Sequence, residues 1–207
     1  IDPAKGSVKQ LEYIISRLRT RWPKVKIVVR ADSGFCRDYI MNWCEGNNTD
    51  YIIGLAKNER LTGMIHRQLN SARKKHEETG MAARVFTSFW YTTRESWSKY
   101  RRVIAKAEHL DKGSNPRFVV TSLTGGEKGL YEQLYCARGE MENRIKEQQL
   151  DLFADRTSTH YISSNQVRLW FSTFAYILLN ACRILGLEGT AFSRIQCGTI
   201  RLKLMKI

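Results

Sequence analysis

The sequence predicts an α/β fold with an inserted β-rich segment, and three observations predict it. A helix-period stretch precedes two short β-branched runs that flank a short helical stretch, the pattern of a βαβ unit. Around residues 83–110 the texture changes to Thr, aromatic and β-branched residues, which favour antiparallel strands. Two long apolar-periodic stretches then close the chain, one centred on residues 130–145 and one beginning near Asn165. With 43% hydrophobic and 11% aromatic residues over 207 positions, the chain can bury one good core.

Taken in order, Val8, Leu11, Ile14, Ile15, Leu18 and Trp22 recur at helical spacing, so a helix is predicted over 7–22 with Ser7 as its cap and Pro23 as its stop. KIVVR (26–30) is a β-branched run of the kind a buried central strand needs, and it leads into Ala31, Asp32, Ser33 and Gly34. Asp32 is therefore predicted at a strand's C-terminal end. A short helix over 37–45 closes at Gly46, Asn47 and Asn48, and YIIGLA (51–56) follows as a second, parallel strand. A long polar helix is predicted over 59–78, stopped by Gly80. Antiparallel strands over 83–110 are expected to stand outside the main sheet. RFVVTSL (117–123) reads as another strand, and a helix from 127 to beyond 150 follows the Gly125, Gly126 turn. The apolar stretch 169–182 reads as a buried core helix, because it is shorter than the ~18–20 residues a bilayer span needs and contains Ser172, Thr173 and Asn180.

Lys and Arg total 34 against 20 Asp and Glu, and the net charge of +14 points to a polyanionic partner, nucleic acid first among them. No signal peptide or membrane-spanning pattern is apparent, so no membrane partner is expected. Cys36, Cys44, Cys136, Cys182 and Cys197 are odd in number and lack CxxC pairs, and His66, His76, His109 and His160 are scattered, so no zinc ligand set emerges. A reducing cytoplasm is the expected compartment.

On a wheel of 100° per residue, Leu130, Leu134, Ala137, Met141 and Ile145 form one face, expected to pack on the sheet. Tyr135, Arg138, Glu142 and Lys146 form an adjacent stripe, a carboxylate flanked by two cations and a phenol. Such a stripe suits a phosphate backbone beside a metal. The plainer reading is a solvated face with i,i+4 salt bridges, and for Asp32 a turn-starting residue in ADSG. Trp90 and Trp97, set among Arg94, Lys99, Arg101 and Arg102, offer rings on which an unpaired base stacks, against the alternative that either packs the insertion onto the core. Asn143, beside Glu142, is a candidate to steady that carboxylate.

RADSGFCRDYIMNWCE and YCARGEMENRIKEQQLDLFADRTS, with NQVRLWFSTFAYILL after them, resemble the DDE transposases of bacterial insertion sequences, in particular those with a Tyr-x2-Arg-x3-Glu-x6-Lys signature. Tyr135, Arg138 and Glu142 stand where that signature asks. The last position is Gln149 rather than Lys, and Lys146 lies one turn closer on the same face. The resemblance implies a ribonuclease-H-like core, truncated at its N-terminus: residues 1–80 form its first part, 81–116 an inserted β-rich subdomain that holds DNA, and 117–207 its second part. It further implies that Asp32 and Glu142 are two of three carboxylates holding two Mg²⁺ or Mn²⁺ ions, with the first aspartate upstream of Ile1. By itself the 207-residue chain is then expected to bind DNA without cutting it. The implied activity is cleavage at element ends and strand transfer into target DNA, by a protein expected to form a homodimer on DNA near the nucleoid. The competing readings are a ribonuclease-H-like nuclease or resolvase, and a non-catalytic DNA-binding remnant of a decayed element.

Overall fold

A computed structural model describes residues 4–206, the side chains of Arg138 and Glu140 excepted. It divides into two compact units, Ile1–Arg138 and Gly139–Ile207. The division falls inside the helical stretch after residue 127, not at either edge of the Thr- and aromatic-rich block.

The first unit is built on one mixed six-stranded sheet of order β1-β2-β6-β4-β3, with β5 beside β4. The chain enters through helix α1 (Ser7–Arg21), which starts after Gly6 in a left-handed conformation (φ 81°). Ser7 does not cap it as expected; its hydroxyl donates to the Ala4 carbonyl at 2.7 Å. Strand β1 (Val28–Ala31) pairs in parallel with β2 (Asp50–Leu55), and helix α2 (Asp38–Gly46) connects them, so the βαβ unit is as the sequence predicts. β1 is, however, an edge strand rather than a central one, with Val28 exposed. β-branched residues suit either place, and only the pairing partners distinguish the two.

The polar helix over 59–78 is two helices, α3 (Glu59–Met64) and α4 (His66–Thr79), broken at Ile65 and closed by left-handed Gly80 (φ 65°). Strands β3 (Ala83–Tyr91) and β4 (Arg101–Leu110) are antiparallel as predicted. They do not stand apart as an inserted subdomain. β4 pairs with β6 (Arg117–Thr121), β6 pairs with β2, and the minor strand β5 (Gly113–Ser114) hangs from β4. The reason is visible in β4 itself. Val103, Ala105 and Ala107 enter the core on one face and Ile104 on the other, all fully buried. A strand buried on both faces belongs inside a sheet.

One face of the sheet packs against Ile40, Met41 and Cys44 of α2, Leu61, Ile65 and residues of α1. The other is smaller: Ile52, Ile104 and Val119 meet Tyr131, Leu130, Leu134 and Tyr135. These last four come from the π-helical turn Leu130–Tyr135, which continues helix α5 (Glu127–Gly129).

In the second unit, helix α6 (Arg138–Lys146) runs into a second π-turn, Glu147–Asp151. Helix α7 (Ile162–Ala181) and short helix α8 (Cys197–Ile200) complete it. Of the apolar face drawn at 100° per residue, Leu130 and Leu134 pack on the sheet within the first unit, while Met141 and Ile145 lie on the second unit and are exposed. The unit's core is Leu179, Cys197 and Ile200, joined by Leu152, Tyr176, Leu187 and Ile195. Beside it Glu147 is buried, accepting from the Cys197 backbone N–H and pairing with Arg183 at 3.4 Å and Arg144 at 3.1 Å. Burial alone would raise the Glu147 pKa, yet the Cys197 N–H and the two guanidinium groups hold it below the usual value.

Helix α7 is not the buried core helix the sequence predicts. Among its described residues only Ser172 and Leu179 are buried, while Trp170, Phe171, Phe174 and Leu178 are largely exposed. The helical run Ile162–Gly186 is 25 residues long and apolar enough to cross a membrane by length and composition alone.

Candidate functional site

Asp32 follows the last residue of β1 and starts a tight 3-10 turn, Ser33–Phe35. Its Oδ1 accepts the Gly34 N–H at 2.9 Å, which orients the carboxylate. The turn-starting role anticipated as the plain alternative is therefore real, and it positions Asp32 at the C-terminal ends of two parallel strands. Open α/β sheets form their clefts there.

A cleft of 380 Å³ lies at this place, lined by Asp32, Ser33, Gly54, Lys57, Arg117 and Tyr135 among others. Lys57 follows β2 and Arg117 opens β6. The cleft thus gathers one carboxylate, two phenols (Tyr131 and Tyr135), one ammonium and one guanidinium from four segments. Tyr135 was predicted from the helix stripe, and the fold does bring it to Asp32. Lys57, Arg117 and Gly54 were missed by sequence reasoning. Lys57 and Arg117 look like any of the 34 cations in the chain, and no spacing links them to Asp32.

Gly54 explains how the phenol fits. A Cβ at this buried glycine would lie 2.6 Å from the Tyr135 hydroxyl oxygen and 3.0 Å from the Ser33 backbone nitrogen. Only a residue without a side chain lets β2, the Asp32 turn and the tyrosine converge. The Tyr135 ring also packs on Tyr131, centroids 5.6 Å apart.

Glu142 and Lys146 belong to the second unit, one turn apart on α6, and both are exposed, as is Asn143. The Arg138 side chain lies outside the described residues. The two tryptophans part company. Trp90, on β3, is 68% exposed. Trp97 is 8% exposed, stands edge-on to Tyr91 at 5.7 Å and lies under the Arg101 guanidinium at 5.6 Å. It is a core residue and not a stacking platform, which corrects the expectation for that position. Arg101 itself is buried against Asp38 and Glu45, so its charge is spent inside the fold.

Among the described residues no group of three His, Cys, Asp or Glu stands ready to hold a metal. The Asp32 carboxylate nevertheless offers the hard oxygen donor that Mg²⁺ prefers, as does Glu142 on its own unit. The five cysteines are free thiols, and burial pushes Cys44 up to about 11 and Cys36 and Cys197 up to about 12, which makes these three poor nucleophiles at neutral pH.

The family model described as transposase DDE domain group 1 matches residues 1–207. The chain belongs to that family. A comparison with curated proteins returns no match. Membership in the DDE transposases implies the nuclease and transposase class of enzyme, a DNA substrate and the use of divalent metal ions. A mixed α/β architecture fits such a domain.

Proposed function

We propose that this chain is a catalytic domain for metal-dependent phosphodiester cleavage at insertion-sequence ends and transfer of the freed 3′-hydroxyl to target DNA, with Asp32 and Glu142 as two of the three metal-holding carboxylates. The observation that carries the reading is the cleft at the end of β1, where Asp32 shares one space with Lys57, Arg117 and Tyr135. Two divalent ions, Mg²⁺ or Mn²⁺, would activate the attacking water or hydroxyl and stabilise the leaving oxygen.

The chain's own residues supply the rest. The Gly34 N–H fixes one Asp32 oxygen, so the carboxylate does not have to be ordered when substrate arrives. Lys57 and Arg117 hold the phosphate backbone, the first as a point charge and the second as a two-pronged donor. The Tyr135 hydroxyl donates to a phosphate oxygen at the cleft floor. Along α6, Arg138 and Lys146 flank Glu142 in sequence and steer the phosphate backbone. Exposed Trp90 stacks on an unpaired base near the cut end. The assembled enzyme acts as a homodimer on double-stranded DNA in the bacterial cytoplasm.

The test is end cleavage and 3′-hydroxyl joining by the full-length protein, compared with Asp32→Asn and Glu142→Gln. Both variants are expected to lose both reactions while binding DNA within a few-fold of the parent. Full activity in either variant removes that carboxylate from the site. Hydrolysis without joining would instead favour the ribonuclease-H-like nuclease or resolvase.

A further inference from the structure

Tyr135 ends the π-turn, and its hydroxyl lies so close over Gly54 that a Cβ there would be 2.6 Å away. Two residues account for this. Arg30, two positions before Asp32 on β1, donates from Nη1 to the carbonyl of Leu134 at 2.8 Å, tying the residue just before Tyr135 to the strand that carries Asp32. Gly54, on the neighbouring strand and paired with Val119, supplies the vacancy that the hydroxyl occupies. The register places Arg30 beside Ile52, so Arg30 and Gly54 lie on the same face of the sheet as Tyr131 and Leu134.

We propose that Arg30 and Gly54 are positioning residues that together set the Tyr135 phenol beside Asp32. Arg30 sets how far along the sheet the helix end sits, and Gly54 sets how deep the ring descends. The inference rests on the reading of Tyr135 as a phosphate-contacting group. Adding a methyl at Gly54 meets the far end of a side chain on one side and backbone on the other, so the tyrosine is what moves. A displacement of that size is expected to slow the chemical step by about 10- to 100-fold while DNA affinity changes little.

The experiment measures single-turnover cleavage, DNA affinity and thermal melting for the full-length protein with Tyr135→Phe, Gly54→Ala, the Gly54→Ala/Tyr135→Phe double variant, Arg30→Met and Arg30→Lys. Gly54→Ala is expected to be slow, and the double variant no slower than Tyr135→Phe, because both act on one hydroxyl. The double variant should also melt higher than Gly54→Ala, since removing the oxygen relieves the clash. Arg30→Met should be slow, and Arg30→Lys, which keeps one donor for the Leu134 carbonyl, should recover part of the rate. Penalties of Gly54→Ala and Tyr135→Phe that multiply would show that Gly54 acts elsewhere and overturn the proposal. If Tyr135→Phe is slow while Gly54→Ala and Arg30→Met cleave at the parent rate, the positioning fails and the role of Tyr135 stands. A fully active Tyr135→Phe overturns both.

Discussion

Two tryptophans with similar sequence surroundings have opposite fates, and residue-scale energetics follow from that. Trp97 packs on Tyr91 beneath Arg101, so Trp97→Ala is expected to lower unfolding free energy by about 3–5 kcal/mol in a denaturant titration. Trp90→Ala should leave stability within about 0.5 kcal/mol and weaken single-stranded DNA binding by about 1–3 kcal/mol. Unchanged DNA binding would mean that the exposed ring is a bystander. Nothing in the local composition separates the two residues. Position on a strand decides it: Trp90 points from β3, at the edge of the sheet, whereas Trp97 folds back from the loop after β3 into the core.

At the scale of elements, α2 is fastened to β4 by one buried arginine. Arg101 donates to Asp38 at 2.7 Å, to Asn42 at 2.7 Å and to Glu45 at 2.9 Å, all on successive turns of α2. Partial burial alone would raise Asp38 and Glu45. For Asp38 the Ser98 backbone N–H and Arg101 outweigh it, and for Glu45 Arg101 and Lys99 do, so both carboxylates lie below their ordinary values. A carboxylate whose pKa falls on folding contributes stability that is fully present above its unfolded value, near 4, and is lost as pH falls through the lower folded value. Melting temperature should therefore be flat from neutrality to about pH 5 and drop below about pH 4. Arg101→Met should cost roughly 3 kcal/mol at pH 7 by removing the buried cation that the two carboxylates share, and less in acid. A cost that does not shrink in acid would show that packing, not charge, fastens α2. Periodicity predicted both elements, but not that Arg101 and Glu45, 56 residues apart, would meet.

For the whole molecule, the net charge of +14 makes DNA affinity a matter of salt. Each phosphate neutralised is expected to add roughly 0.9 to the slope of log affinity against log salt, measured by titration between low and physiological ionic strength. An affinity indifferent to salt would count against backbone binding. The sheet's first parallel pair and the placement of Asp32 at a strand end were legible because β-branched runs bounded by turn residues are local signals. The sheet order was not, since the 83–110 strands carry the same signal whether they form their own layer or join β6. Part of the site was legible for the same reason: Asp32 and Tyr135 sit in local motifs, while Lys57, Arg117 and Gly54 acquire meaning only when β2 and β6 come alongside.

The π-turn at Leu130–Tyr135 makes the reading frame of the helix, and not only its composition, a functional quantity. A π-turn holds about one residue more than an α-turn of the same height. Removing one residue lets this segment relax to ordinary α-helix with Tyr135 still in place, but adding one between 127 and 130 has no such slack to use and swings Tyr135 by about 100° around the axis away from Gly54. Such an insertion removes no named side chain of the cleft and should still disable it. A length scan of this segment, with one residue removed or added at a time, is expected to show that cleavage tolerates the removal far better than the addition, and a lengthened helix that cleaves normally would mean that the frame does not matter.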